Sequence, residues 1–265
     1  MSDPRIRGAR PFLVGVVHLA ATPGAPRYEG DVGTLLERAT ADARALAGGG
    51  CDALLVENLG DVPYFAGSVP PETVAAMALA LREVRALAGS LPVGVNVLRN
   101  DARAALGLCA ATGAEFVRIN VHTGAAVADQ GLLRGAAAET LRERARLCPR
   151  VALWCDVHVK HAVPLGGGRL ADAAADTLHR GLADALIVTG RATGALPAVE
   201  DLAEVRAAVP TAPLLIGSGV SDVNAWELLA HADGAIVGTY FKEDGRVGAA
   251  VDERRVARLR RAIDR

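Results

Sequence analysis

The sequence predicts a single (β/α)8 TIM barrel, an α/β fold in which eight parallel strands close into a ring and each is followed by a helix. Three observations predict it. Short β-branched runs recur along the chain, each followed by an alanine- and leucine-rich amphipathic stretch, and that alternation argues for parallel βαβ units. Eight such units fit into 265 residues, a length at which α/β barrels commonly form one domain. The first strand runs into "GVVHLAATPGAP" rather than the GxGxxG turn that an open doubly wound sheet usually carries there. Residues 1–265 are therefore read as one barrel domain.

In chain order, the strand candidates are "FLVGVVHL" (12–19), "DALLVEN" (52–58), "LPVGVNVL" (91–98) and "FVRINVH" (116–122). They continue with "VALWCDVHVKHA" (151–162), "DALIVTG" (184–190), "PLLIGSG" (213–219) and "GAIVGT" (234–239). Between them lie helical patterns such as "TLLERATADARALAGGG", "PETVAAMALALREVRALAG" and "AWELLAHA", several followed by the glycine that a helix C-cap favours. A small residue and an acid recur before strands, in "GGGCDALL", "TGAEFV", "GLADALIV" and "HADGAIV". This is the pattern expected where a helix ends and a short turn starts the next barrel strand.

Composition narrows the function classes. Residues are 51% hydrophobic, enough for one large core, and the net charge of -1 gives no basic surplus for nucleic acid or an acidic membrane surface. Aromatics at 3% also argue against base stacking. No apolar run approaches the ~20 residues of a membrane span. Arginines precede the first apolar run, but Gly15 and His18 break it and no clean cleavage site follows, so it reads as a first strand rather than a signal peptide. Cys51, Cys109, Cys148 and Cys155 are scattered without a CxxC, as reduced core thiols of a cytoplasmic protein would be. No GxxxxGK[ST] P-loop is present.

Active sites of such barrels lie at the C-terminal strand ends, which turns the strand list into a site list. Strand one ends at His18, strand two at Glu57 and Asn58, and strand three at Asn96, Arg99, Asn100 and Asp101. Strand four offers Arg118, Asn120 and His122 on one parity, and strand five Asp156, His158 and Lys160 on one parity. Strand six ends in Thr189-Gly190, strand seven in Gly217-Ser218-Gly219 and strand eight in Gly238-Thr239. Asp156, His158 and Lys160 are expected to climb the inner face, with Lys160 nearest the mouth. Asp156, lying deeper, needs Lys160, Arg118 or a bound ion as partner, and a structural ion pair is the plainer reading.

The strongest chemical cue is the pair of glycine turns. "LLIGSGVSDVNAWELL" places Gly-Ser-Gly between a strand and a helix, and "DGAIVGTYFK" places Gly-Thr after the next strand. Close backbone approach and bare amides suit a phosphate, and barrels often hold phosphates on the loops after strands seven and eight. A plainer reading has Gly217 and Gly219 making a tight turn, with Ser221 or Asp222 capping the helix. A divalent metal is a weaker expectation. Glu57, Asp101, Asp156, His158 and His161 are possible ligands, but no HxH or HExxH forces the point. No cofactor is required by the sequence.

Taken together, "VHLAATPGAPRY", "VENLGDVPY", "GVNVLRNDARAAL", "FVRINVHTGAAVADQG", "DVHVKHAVPL", "VTGRATG", "GSGVSDVN" and "ADGAIVGTYFK" resemble the BtpA family. They span nearly the whole chain in order. The resemblance implies a TIM barrel and a link to photosystem I biogenesis in some members, but no catalytic assignment.

Two function classes follow. The first is an enzyme acting on a small phosphorylated metabolite, a sugar phosphate or nucleotide. Its catalytic set would be Lys160, Asp156, His158, Glu57 and Asn96. Binding would fall to Gly217, Ser218, Gly219, Gly238, Thr239, Thr189, Gly190, Arg118, Asn120, His18, Asn100 and Asp101. Lys160 would form a Schiff base, or Glu57 and Asp156 would serve as acid and base at a glycosidic bond. The second class is a non-catalytic assembly or stability factor with the barrel as platform. The Asp129-Gln130-Gly131 loop and the "ATPGAPRYEGD" loop are candidate lids, and a homo-oligomer is expected from the alanine-rich helices.

Overall fold

The computed structural model describes Ile6, Gly8, residues 10–190 and residues 192–264. Among these, eight parallel strands close into a barrel. In chain order they are β1 (Phe12–His18), β2 (Ala53–Glu57), β3 (Val93–Asn96), β4 (Phe116–Ile119), β7 (Ala152–Val157), β9 (Ala185–Val188), β10 (Leu214–Ile216) and β11 (Gly234–Val237). Around the ring the order is β1-β11-β10-β9-β7-β4-β3-β2. Three further strands, β5 (Ala125–Ala128), β6 (Gly131–Arg134) and β8 (Ala162–Pro164), form a small antiparallel sheet in the order β6-β5-β8. The helices are α1 (Val32–Gly48), α2 (Pro71–Ala88), α3 (Ala102–Thr112), α4 (Ala137–Leu147), α5 (Leu170–Ala175), α6 (Val199–Ala208), α7 (Ala225–Leu229) and α8 (Glu253–Ile263).

Side-chain alternation builds two cores from the same strands. Residues of one parity, such as Leu13, Val17, Leu54, Val56, Val93, Val95 and Val117, pack outward against the helices. Residues of the other parity, such as Val14, Val16, Leu55, Phe116, Trp154, Ile187 and Ile236, fill the barrel. The floor is a Phe116–Trp154 stack with centroids 3.7 Å apart. Gly94 makes room for it, since a Cβ there would lie 2.3 Å from the Phe116 ring. Above this apolar floor the same inward parity becomes polar at His18, Glu57, Asn96, Arg118, Asn120 and Asp156. The barrel is thus plugged by apolar side chains below and polar above.

The acid that recurs before strands closes the opposite rim. Asp52, Asp184 and Asp233 each accept a backbone amide from the neighbouring strand, from Leu13 (2.8 Å), Leu153 (2.9 Å) and Leu214 (2.8 Å). Each also pairs with a helix arginine: Arg260 (2.9 Å), Arg144 (2.7 Å) and Arg206 (2.8 Å). One carboxylate so ties two strands and a helix, three times around the ring.

Three expectations are corrected. Residues 151–162 do not form one strand: β7 stops at Val157, and His158 and His161 adopt φ of +52° and +58°. The break lets Val159 bury beneath the small sheet with Val121, Ala126 and Leu133. The expected lid loop at Asp129-Gln130-Gly131 is the tip of the β5–β6 hairpin, where Ala128 pairs with Gly131 and β8 clamps the other edge. Finally, no helix follows Gly-Ser-Gly directly. Residues 220–224 make a turn first, locked by the Asn224 side chain, which accepts from the Ser221 amide and donates to the Gly219 carbonyl. Among the described residues no helix is long and apolar enough to cross a membrane.

Candidate active site

The barrel mouth holds a cavity in two lobes. One, about 280 Å³, runs from His18 and Glu57 to the glycine turns at Gly217–Gly219 and Gly238-Thr239. The other, about 440 Å³, is lined by Asn96, Arg99, Asn120, Tyr64 and the hairpin tip at Asp129-Gln130. Glu57, Leu59, Arg118, Lys160 and Thr193 line both. The centre of the mouth is therefore one carboxylate, one guanidinium and one amine.

Asp156 is the buried anchor of this centre. It receives Arg118 through Nε and Nη2, both at 3.1 Å, and Asn120 Nδ2 at 2.6 Å, with no side-chain exposure. Its acceptor positions are engaged, so it fixes Arg118 rather than acting on a ligand. Burial disfavours the Arg118 charge, but Asp156 and Glu57 outweigh burial and hold the guanidinium above its ordinary value.

Glu57 is oriented from below by Asn96, which donates to Oε2 at 2.7 Å. Burial pushes this carboxyl up, but His18, Lys160, Arg118 and the Asn96 hydrogen bond together hold it below its ordinary value. His18 lies 3.9 Å from Glu57 through Nε2, and its Nδ1 has no partner among the described residues. Gly238 lets the imidazole lie flat, since a Cβ there would approach its Cε1 to 2.5 Å.

Lys160 reaches the mouth because the chain breaks after β7 and is then pinned on both sides of its peptide. Its amide donates to Thr189 Oγ1 at 3.0 Å and its carbonyl accepts from Arg99. Its ammonium has no hydrogen-bond or ion-pair partner among the described residues. Burial, followed by the Arg118 charge, draws its pKa below the ordinary lysine value.

The glycine turns present backbone rather than charge. Gly219 has φ +79°, and the amides of Ser218, Gly219 and Val220 have no partner among the described residues. Ser218 Oγ donates to the Ala195 carbonyl at 2.9 Å and receives the Gly190 amide at 3.4 Å. Ser218 therefore ties Gly190 to the loop around residue 195, Thr189 holds the Lys160 amide, and only the backbone at Ser218 is left for a ligand. Neither Thr189 nor Gly190 lines either lobe.

Several expected site residues lie elsewhere. His158 turns out of the mouth into a small crevice beside Val157, Ala173 and Thr177. The strand break reverses its parity, so it does not join Asp156 and Lys160. Asn100 clamps the hairpin, accepting from the Val121 amide at 2.8 Å and donating to its carbonyl at 3.0 Å. Asp101 caps α3 through the Ala104 amide at 2.9 Å and holds the Val69 amide at 2.9 Å. Both line a separate cavity outside the barrel. His122 bonds the Gly181 carbonyl at 2.8 Å, away from the mouth. His161, by contrast, lines the larger lobe, where its Nε2 accepts from the Thr193 amide at 3.0 Å. The five residues considered as ion ligands do not converge, and no trio of potential ligands among the described residues could hold a metal. Residues 20–31 line neither lobe.

Arg99, Tyr64, Thr193, Tyr240 and Arg255 line the cavity without having been singled out as ligand contacts. One signal was overlooked entirely. The chain has 29 Lys and Arg, of which only Lys160 and Lys242 are lysine. Where arginine serves every other cationic need, a retained lysine marks a place that uses its compact, titratable amine.

The closed eight-stranded ring, plugged below and polar above, defines an α/β barrel of the kind that carries its chemistry at the C-terminal strand ends. The chain belongs to the BtpA family, which matches it over residues 9–265. It is 44% identical over 245 residues to the photosystem I biogenesis protein BtpA of Synechocystis sp., covering 92% of this chain and 85% of that protein. It is 45% identical to an uncharacterized protein of Thermococcus kodakarensis, covering 93% of each. In fold it is similar to thiamine phosphate pyrophosphorylase from Pyrococcus furiosus, with a TM-score of 0.57, 15% identity, and coverage of 99% of this chain and 98% of that one. N-(5'-phosphoribosyl)anthranilate isomerase from the same organism gives a TM-score of 0.56 at 14% identity, covering 96% and 98%. At these identities the likeness is one of fold.

Proposed function

We propose that this protein is an enzyme acting on a small phosphorylated carbonyl compound through a Schiff base at Lys160. The observation that carries the reading is the Lys160 amine itself: unpaired, largely buried beside Arg118, and shared by both lobes of the mouth. Lysines of this kind are nucleophiles because burial and a neighbouring cation favour the neutral amine. The phosphate would rest on the free amides of Ser218, Gly219 and Val220, opposite Gly238-Thr239. That the solved structures similar in fold include enzymes named for phosphorylated compounds agrees with this.

In the step, Lys160 gives up a proton and its nitrogen lone pair adds to the carbonyl carbon. The carbonyl oxygen is then protonated and leaves as water, giving an imine. Glu57, held by Asn96 and lining both lobes with Lys160, would move those protons. The alternative acid–base pair of Glu57 and Asp156 is disfavoured because Asp156 already accepts three hydrogen bonds. The similarity to the photosystem I biogenesis protein of Synechocystis sp. supports an assembly role as the competing reading.

Borohydride reduction tests the proposal. With a panel of ketose, aldose and keto-sugar-acid phosphates, the intact mass should gain one reduced adduct, mapped to Lys160 and absent in Lys160→Ala. Only one other lysine exists, and Lys242 is ion-paired to Asp42. A panel with no adduct, in a folded protein, would refute the Schiff base and leave the assembly reading standing.

A further inference from the structure

Four cations are buried among the described residues: Arg99, Arg118, Lys242 and Arg260. Three have carboxylate partners. Arg118 is paired with Asp156, Lys242 with Asp42, and Arg260 with Asp52 and Asp264. Arg99, 4% exposed, has none within ion-pair distance among the described residues. Its one side-chain hydrogen bond goes to the Lys160 carbonyl, and its backbone amide donates to the Phe65 carbonyl at 3.1 Å. It is held in place, faces the larger lobe and keeps guanidinium donors unspent. Burial and the Arg118 charge lower its pKa even with Asp156, Glu57 and Asp129 in range. A buried cation without a partner is costly, and a protein retains one where a ligand supplies the counter-charge.

We propose that Arg99 binds a second anionic group of the substrate, a carboxylate, at the far end from the phosphate. This inference rests on the phosphate lobe proposed above. Of the two guanidiniums that line this lobe, Arg118 is held by Asp156, which leaves that of Arg99, matched to a monovalent carboxylate. It has no glycine cradle, and the nearby α3 N-terminus is already occupied by Asp101. β3, which leads to Arg99, stands opposite β10, which leads to Gly217–Gly219, in the ring. The substrate therefore spans the mouth: phosphate at one end, carboxylate at the other, and its reacting carbonyl near Lys160 between them. A phosphorylated sugar acid carries its phosphate and its carboxylate at opposite chain ends in this way.

Calorimetric titration of the full chain with a matched pair of probes tests this. 6-Phosphogluconate and glucitol 6-phosphate differ at the terminal carboxylate, where the second has a hydroxymethyl group. The wild type should prefer 6-phosphogluconate by at least about tenfold, the usual strength of a charge-assisted bond. Arg99→Gln should erase that preference while leaving glucitol 6-phosphate within about twofold, and Arg99→Lys should retain part of it. Equal wild-type affinities for the two probes would overturn the inference and leave the phosphate lobe intact. So would equal weakening of both probes in both variants, because Arg99 would then be a support for Lys160. Tighter binding of fructose 1,6-bisphosphate than of 6-phosphogluconate would overturn the carboxylate assignment. If neither sugar phosphate nor inorganic phosphate binds, the phosphate lobe itself falls, and this inference with it.

Discussion

Acidification should unfold this protein partly through one imidazole. His18 is nearly buried at the mouth, with Nδ1 unsatisfied and Glu57 3.9 Å away. Burial pulls its pKa down to about 4 from the ordinary 6.5, against the opposing pull of Glu57. In the unfolded chain His18 takes a proton as pH falls through 6.5, whereas in the folded protein it stays neutral until about 4. The unfolded state thus binds more protons across that window. The contribution of His18 is full above pH 6.5 and is lost as pH drops towards 4. The loss is at most about 1.4 kcal/mol per pH unit and about 3 kcal/mol over the whole window. Urea unfolding at pH values stepped from about 7.5 to 4.5 measures it, comparing wild type with His18→Gln. The variant's stability should fall less steeply. His122, His158 and His161 are also lowered by burial but are common to both proteins and cancel in the difference. Any constant offset reports packing against Gly238; the slope reports the proton. Parallel curves would refute the reasoning, because they would mean His18 titrates alike in both states.

Two further substitutions probe the frame around the mouth. Asp42→Ala leaves Lys242 buried without its carboxylate and the Val251 amide without its acceptor (2.8 Å). The expected cost is about 3–5 kcal/mol, or about 6–20 °C in Tm by calorimetry, and a loss below about 1 kcal/mol would show that the pair is not needed. Gly94→Ala drives a Cβ to 2.3 Å from the Phe116 ring under the Phe116–Trp154 stack. It should cost about 1–3 kcal/mol in urea unfolding, relieved by Phe116→Leu; wild-type stability in the single variant would mean that the floor is loosely packed.

Much of the barrel was legible because its information is local. A period of two writes the inward and outward faces of a strand into neighbouring residues, so Leu13 and Val14, or Leu54 and Leu55, can be assigned without knowing what they touch. Glycine and the acid before each strand mark turns for equally local reasons. The same logic found His18, Glu57, Asn96 and Arg118 at the mouth, because each follows the parity of a regular strand to its end. It failed where the backbone stopped being regular. His158 was placed beside Lys160 by carrying the alternation through residues 156–160, but the chain turns at His158 to bury Val159 under a sheet built from β5, β6 and β8. Two of those strands end at least 24 residues upstream of it in the chain, so no short window around His158 could show the reason.

The sequence by itself determined the closed ring of βα units, the family and the face of each strand. Tertiary structure alone decided partnership. Asp156 became a support once Arg118 and Asn120 had taken its oxygens, Asn100 and Asp101 were spent on a hairpin and a helix end, and Lys160 and Arg99 were left without carboxylate partners among the described residues. The physical reason is that alternation and propensity act between residues close in the chain, whereas a charge is satisfied or left over according to what lies within a few ångströms in space.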